Sequence, residues 1–172
     1  MSVAEPRRIV LFRHAKADWP QVTDHERPLA ERGRTDAAVA GRRLAGTGVS
    51  FDLALCSTAI RSRETWKLAV HELPHRPKTV YEERVYDASP GELITVLNET
   101  PDDVRNVILI GHNPGIQGLA EVLSGSAEGD ARERMSRRGF PAAAFAVVSF
   151  EGSWKALERG VATLLDYWAP SE

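Results

Sequence analysis

The sequence predicts an α/β protein: a three-layer sandwich with a mostly parallel central sheet and helices on both faces. Three observations carry this. Arg8 to Phe12, Phe51 to Ser57 and Val107 to Ile110 are apolar runs without polar alternation, the pattern of strands covered on both sides. Each run is followed by a short polar turn and then by apolar residues at helical spacing, so the order strand, turn, helix recurs three times. Finally, 172 residues with 42% hydrophobic and 27% charged content can bury a core without metals or disulfides, so residues 1–172 are expected to form one domain.

Taken in order, the β-branched run from Arg8 ends at Arg13 and His14. Glu31 to Ala45 carries small or apolar residues on one side (Ala37, Ala38, Gly41, Leu44) and Arg34, Arg42 and Arg43 on the other, an amphipathic helix closed by Gly46 and Gly48. After the second strand, Ser57 or Thr58 is expected to cap a helix reaching about Val70, ended by Pro74 and Pro77. Thr79 to Tyr81 reads as a short strand. Ser89-Pro90-Gly91-Glu92 reads as a cap with proline in the first turn of a helix through Leu97. The third strand leads into Gly111-His112-Asn113-Pro114-Gly115 and a helix holding Ile116, Leu119 and Leu123. Residues 124–139, with Arg132, Arg134, Arg137 and Arg138 among acids, are expected to be a solvated loop rather than a substrate-side lip. Ala142 to Phe150, Trp154 to Glu158 and Val161 to Trp168 are expected to be closing strands with a hairpin at Gly152.

The formal net charge of −2 argues against nucleic acid or an anionic membrane as the main partner. The only cysteine, Cys56, lies in an apolar run and is expected to be a buried structural thiol. The apolar run at Ile9 to Phe12 is too short for a signal peptide or a membrane span, so a cytoplasmic location is expected. No heptad or long amphipathic seam argues for assembly, and a monomer is expected.

Ligands of open α/β sheets bind beyond the carboxyl ends of the strands. Arg13, His14, Arg61 and His112 should therefore converge. Two guanidinium forks and two imidazoles make a site for a tetrahedral dianion, with phosphate the evident candidate. Helix N-termini after Ser57 and Pro114 would add backbone donors. A neutral imidazole can attack phosphorus while arginines spread the transition-state charge, although this reasoning alone leaves open which histidine attacks.

Leu11-Phe12-Arg13-His14-Ala15, Ser57-Thr58-Ala59-Ile60-Arg61 with Glu64-Thr65, and Ile110-Gly111-His112-Asn113-Pro114-Gly115 resemble the histidine phosphatase superfamily, in particular its SixA-type phosphohistidine phosphatase branch. The resemblance extends to Asp24-His25-Glu26-Arg27-Pro28-Leu29 and Phe140-Pro141. It implies a phosphoglycerate mutase-like fold, one histidine phosphatase domain over 1–172, and His14 as a transiently phosphorylated nucleophile. It also implies that Arg13, Arg61, His112 and Asn113 hold the phosphoryl group, that water then hydrolyses the phosphoenzyme, and that no metal or cofactor takes part. Many relatives have glycine where this chain has Ala15. Larger sugar-phosphate members use a carboxylate after the third strand as general acid, for which Glu83, or Glu82 beside it, is the candidate. An imidazole leaving group, with a conjugate-acid pKa of about 6.5, needs such help far less than an alkoxide. The expected substrate is thus phosphohistidine on a protein. The alternatives are a small phosphorylated metabolite cleaved by a phosphomonoesterase of the same superfamily, and a phosphate-binding regulatory module without turnover.

His71-Glu72-Leu73-Pro74-His75 matches the zinc-protease pattern letter for letter. That pattern works only on a continuous helix, and proline inside one costs about 3 kcal/mol. The segment is therefore expected to be a helix end with surface histidines. Tyr81, Tyr86, Trp66 and Trp154 are scattered and lack the basic stripe of a base-stacking platform, and most of them are expected to be core or partial-core aromatics.

Overall fold

The computed structural model describes residues 5–171. Its strands are β1 (Arg7–Arg13), β2 (Leu53–Cys56), β3 (Lys78–Tyr81), β4 (Asn106–Gly111), β5 (Ser124–Ala127), β6 (Phe145–Phe150) and β7 (Ala162–Trp168). Its helices are α1 (Glu31–Gly46), α2 (Ile60–Val70), α3 (Pro90–Asn98), α4 (Gly115–Leu123) and α5 (Ala131–Arg138). The seven strands form one sheet in the order β3-β2-β4-β1-β6-β7-β5, and only β6 runs antiparallel to its neighbours.

The predicted sandwich is present. Alternate residues of β1 feed opposite cores: Ile9 and Leu11 pack with α3, α4 and α5 residues such as Leu93, Ile116 and Met135, whereas Val10 and Phe12 pack with Ala37 and Leu44 of α1 and Trp66 of α2. The absence of polar alternation in this strand is thus the consequence of two buried faces. Cys56 is fully buried in the second core, and desolvation pushes its thiol up to about 12.

The chain moves outward from β1 to β2 and β3, then returns to place β4 between β1 and β2. The reversal leaves the carboxyl ends of β1 and β4 side by side, with Arg13 in register with Gly111. His14 and His112 therefore emerge from adjacent strands at one rim.

Three local expectations need correction. Residues 124–139 are not a loop: they form β5 and α5. Strand β5, Ser-Gly-Ser-Ala, has no β-branched residue to announce it and is held by pairing with β7. Helix α5 buries only Ala131 and Met135, one turn apart. Its arginines tie down the following chain, Arg134 donating to the Tyr167 carbonyl (2.6 Å) and Arg138 to that of Pro170 (2.8 Å). Trp154 to Glu158 is not a strand; it holds a 3-10 turn at Trp154–Ala156, where the buried indole donates to the Val104 carbonyl at 2.7 Å. Neither Ser57 nor Thr58 caps α2, whose N-cap is Ala59. Both hydroxyls are engaged by histidines instead.

Helix α3 starts as its sequence dictates: Ser89 and Glu92 form a reciprocal capping box and Pro90 occupies the first turn. Helix α2 ends at Val70, so His71 and His75 do not share a helical face and the zinc-protease pattern is not realised. Among the described residues, no helix is long and apolar enough to cross a membrane.

Candidate active site

His14 directly follows β1, and its backbone N–H donates to the Gly111 carbonyl at 3.0 Å while its own carbonyl accepts from Ala143 N–H at 3.0 Å. These bonds tie the residue to β4 on one side and to the turn before β6 on the other. Ala143 sits at φ +68°, a left-handed conformation that costs an alanine energy and is retained at this turn. His14 Nδ1 lies 2.7 Å from the Ala15 carbonyl oxygen. A carbonyl can only accept, so Nδ1 carries the proton and Nε2 keeps its lone pair.

The His112 ring centroid is 5.0 Å from that of His14. His112 Nε2 is 2.7 Å from Ser57 Oγ and 3.3 Å from Ser62 Oγ. Ser57 Oγ also accepts the Ala59 N–H at 3.3 Å and can donate its own hydrogen to His112 Nε2, an arrangement that places the His112 proton on Nδ1.

Arg13 donates through Nη1 to the Phe140 carbonyl at 2.9 Å. Arg61, in the first turn of α2, donates through Nη1 to the Asp24 carbonyl at 2.6 Å and through Nη2 to Asp24 Oδ2 at 2.9 Å. Arg13 Nε, Arg61 Nε and His112 Nδ1 are all buried without a partner. Buried donors are rarely left unpaired. Two guanidiniums and an imidazole with unpartnered nitrogens beside His14 suit an anion with several acceptor oxygens.

Electrostatics agree with geometry. Burial is the largest influence on His14 and takes it down to about 3; the Ala15 carbonyl opposes this, and His112, Arg61 and Arg13 add to it. Burial, assisted by Arg61, takes His112 down to about 4. Both rings are thus neutral near pH 7, and the local field favours bound negative charge.

The four residues expected to converge, Arg13, His14, Arg61 and His112, do so. Asn113 is used differently from a free ligand: its Nδ2 donates to the Phe140 carbonyl (2.9 Å) and its Oδ1 accepts from Gln117 N–H (3.1 Å), leaving one amide hydrogen uncommitted. Glu82 turns to Arg84, which donates to it through Nη2 at 2.6 Å and Nε at 3.0 Å. Glu83 is exposed and none of the hydrogen bonds that build the histidine cluster involves it.

Asp24, His25 and Tyr86 join the site without having been among the residues expected to converge there. Tyr86 donates to Asp24 Oδ2 at 2.5 Å and packs edge-on to both His112 (5.4 Å) and His25 (5.1 Å), so it belongs to the site rather than to a core. The Tyr86 hydroxyl, then Arg61 and Arg27, hold the Asp24 carboxyl far below its ordinary value. The segment Asp24 to Leu29 was a signal for this loop. Tyr86 had none. Glu64 and Thr65 serve the same loops, Glu64 accepting from Leu29 N–H (2.8 Å) and Thr65 Oγ1 from Ala15 N–H (2.9 Å).

The fold and this rim define an α/β protein whose site, two guanidiniums and two neutral imidazoles beyond the carboxyl ends of β1 and β4, suits a phosphoryl group. Residues 9–106 match the model of the histidine phosphatase superfamily, branch 1, and the chain belongs to that family. It is 38% identical over 162 residues to an uncharacterised protein of Mycobacterium tuberculosis, covering 92% of this chain and 99% of that one. A Nakamurella multipartitia protein assigned as a SixA phosphohistidine phosphatase is 30% identical, with a TM-score of 0.86 over 98% of this chain and 99% of that one. Its Agrobacterium tumefaciens counterpart is 29% identical, with a TM-score of 0.80 over 97% and 100%. The protein is a phosphatase of the SixA-type branch.

Proposed function

We propose that this phosphatase removes the phosphoryl group from phosphohistidine on a protein, with His14 as the nucleophile. The observation that carries the reading is the pairing of His14 Nε2, unprotonated and free to attack, with the unpartnered donors of Arg13, Arg61 and His112. The Nε2 lone pair forms a bond to phosphorus as the P–N bond of the substrate breaks, and the departing imidazole takes its proton from solvent. Arg13, Arg61 and His112 stabilise the equatorial oxygens, with the spare Asn113 amide hydrogen as a further donor. Water then attacks phosphorylated His14, the P–N bond to Nε2 breaks, and inorganic phosphate leaves.

The carboxylates support an imidazole leaving group over an alkoxide. Asp24 is held ionised by Tyr86, Arg61 and Arg27 and so has no proton to give. Arg84 likewise keeps Glu82 below the usual carboxylate range. An alkoxide would need a protonated acid, while an imidazole does not.

The test is phosphate release by the purified protein from a phosphohistidine carrier protein, an aryl phosphate and a panel of sugar phosphates, each compared with His14→Ala. His14-dependent release from the carrier at a kcat/KM well above that of the sugar phosphates is the expected result. Efficient release from a sugar phosphate alone would replace the proposal with a small-molecule esterase and make Glu83 the acid to test. Phosphate binding with no release from any substrate would point to a regulatory module.

A further inference from the structure

Outside the histidine site, the outer edge of the sheet on the α2 side forms a cationic groove. β3 is the terminal strand and pairs only with β2, so its outer backbone groups are free to bond an added chain. Between β3 and α2 lies a cavity of about 460 Å³ whose lining includes Arg63, Lys67, Arg76, Trp66, Thr79 and Tyr81. The Trp66 indole donates to Thr79 Oγ1 at 3.0 Å and forms the floor. Arg63, Lys67 and Arg76 are exposed, and among the described residues none has an ion-pair partner. Arg63 lies over the Tyr81 ring, 4.6 Å from its centroid, and that ring is 48% exposed. The carboxylate on the same wall, Glu64, is taken up by the Leu29 N–H.

The groove and the phosphate site share helix α2. Arg61 points into the site, and Arg63 and Lys67 follow on the outward face of the same helix, one turn apart. Arg61 to Lys67 spans about 9 Å along the axis at about 1.5 Å per residue. An extended protein segment whose phosphorylated side chain is held by Arg61 is long enough to follow this face of the helix to the far end.

We propose that this groove docks an extended acidic segment of the protein whose phosphohistidine His14 attacks. Its carboxylates would meet Arg63, Lys67 and Arg76, and its backbone would lie along β3. The inference rests on the protein-substrate reading above and adds the surface that selects the protein.

The experiment compares wild type with Arg63→Glu/Lys67→Glu and the milder Arg63→Gln/Lys67→Gln on two substrates, an acidic phosphohistidine carrier protein and an aryl phosphate. The charge reversal is expected to raise KM for the carrier about tenfold or more and to flatten its salt dependence, with the neutral pair intermediate and aryl phosphate turnover unchanged. In parallel, a decapeptide of Glu and Asp is titrated into the 15N-labelled protein. Shifts at Thr79, Tyr81 and the Trp66 indole, lost in the reversed variant, are expected. An unchanged carrier KM, equal losses on both substrates, or no peptide shifts at the groove would overturn the docking proposal. Absence of turnover on both substrates in the wild type would instead overturn the phosphatase reading, and the peptide titration would still decide the groove.

Discussion

His14 and His112 are neutral because they are desolvated beside two guanidiniums, and in the proposed reaction neutrality leaves His14 Nε2 a lone pair with which to attack phosphorus. Free histidine titrates near 6.5, while these fall to about 3 and about 4. Between those limits the unfolded chain binds more protons than the native one, so stability falls as pH drops below 6.5 and is fully present above it. Ring proton shifts of His14 and His112 should show no titration between pH 8 and 5, and urea midpoints should be lower at pH 5 than at pH 7. Midpoints near 6.5 for both rings would contradict the assignment. Asp24 bonds to Arg61 at 2.9 Å, and in the proposed reaction it positions that guanidinium rather than protonating the leaving group. Asp24→Ala should cut kcat/KM by about tenfold, the order expected for losing a hydrogen bond to a charged group. The same factor should hold for aryl phosphates whatever their leaving-group pKa. A loss that grows with that pKa would make Asp24 the acid. At this scale the sequence was informative wherever a residue follows a strand. Arg13, His14 and His112 could be placed from the strand ends, and Arg61 from the first turn of a helix. Tyr86 could not, because it reaches the site through a loop whose path depends on how α3 packs.

Secondary structure elements meet closely where side chains are missing. A Cβ on Gly41 of α1 would lie 2.4 Å from the Ala69 carbonyl of α2, and one on Gly33 would lie 2.0 Å from the Lys16 carbonyl. Both partners are backbone and cannot swing aside. Gly41→Ala should therefore destabilise the protein by about 1–3 kcal/mol, the usual cost of overpacking, measured as a lower urea midpoint with unchanged slope. Unchanged stability would mean that α1 and α2 separate more easily than this contact allows. Four helices could be read ahead of the structure: α1 has an apolar stripe and α3 a cap written locally, and α2 and α4 each follow an apolar strand and a polar turn. β5 and α5 could not be so read: the strand draws its stability from β7, and the helix buries two residues under a coat of arginines whose partners are far away in sequence.

The molecule as a whole derives its site from one topological event, the return of the chain from β3 to insert β4 beside β1. Continuous apolar strands made the layers legible. The placement of β4 next to β1, and with it the 5.0 Å approach of the two histidine rings, is a long-range result of packing. Covalent catalysis at this junction is the step on which the proposed function depends. Its most direct test is to mix the protein with a 32P-labelled phosphohistidine carrier or aryl phosphate, quench in alkali within the first turnover, and map the label. Label on His14, turning over with water and absent from His14→Ala, is the predicted result. No labelled enzyme under burst conditions, or label on another residue, would contradict it.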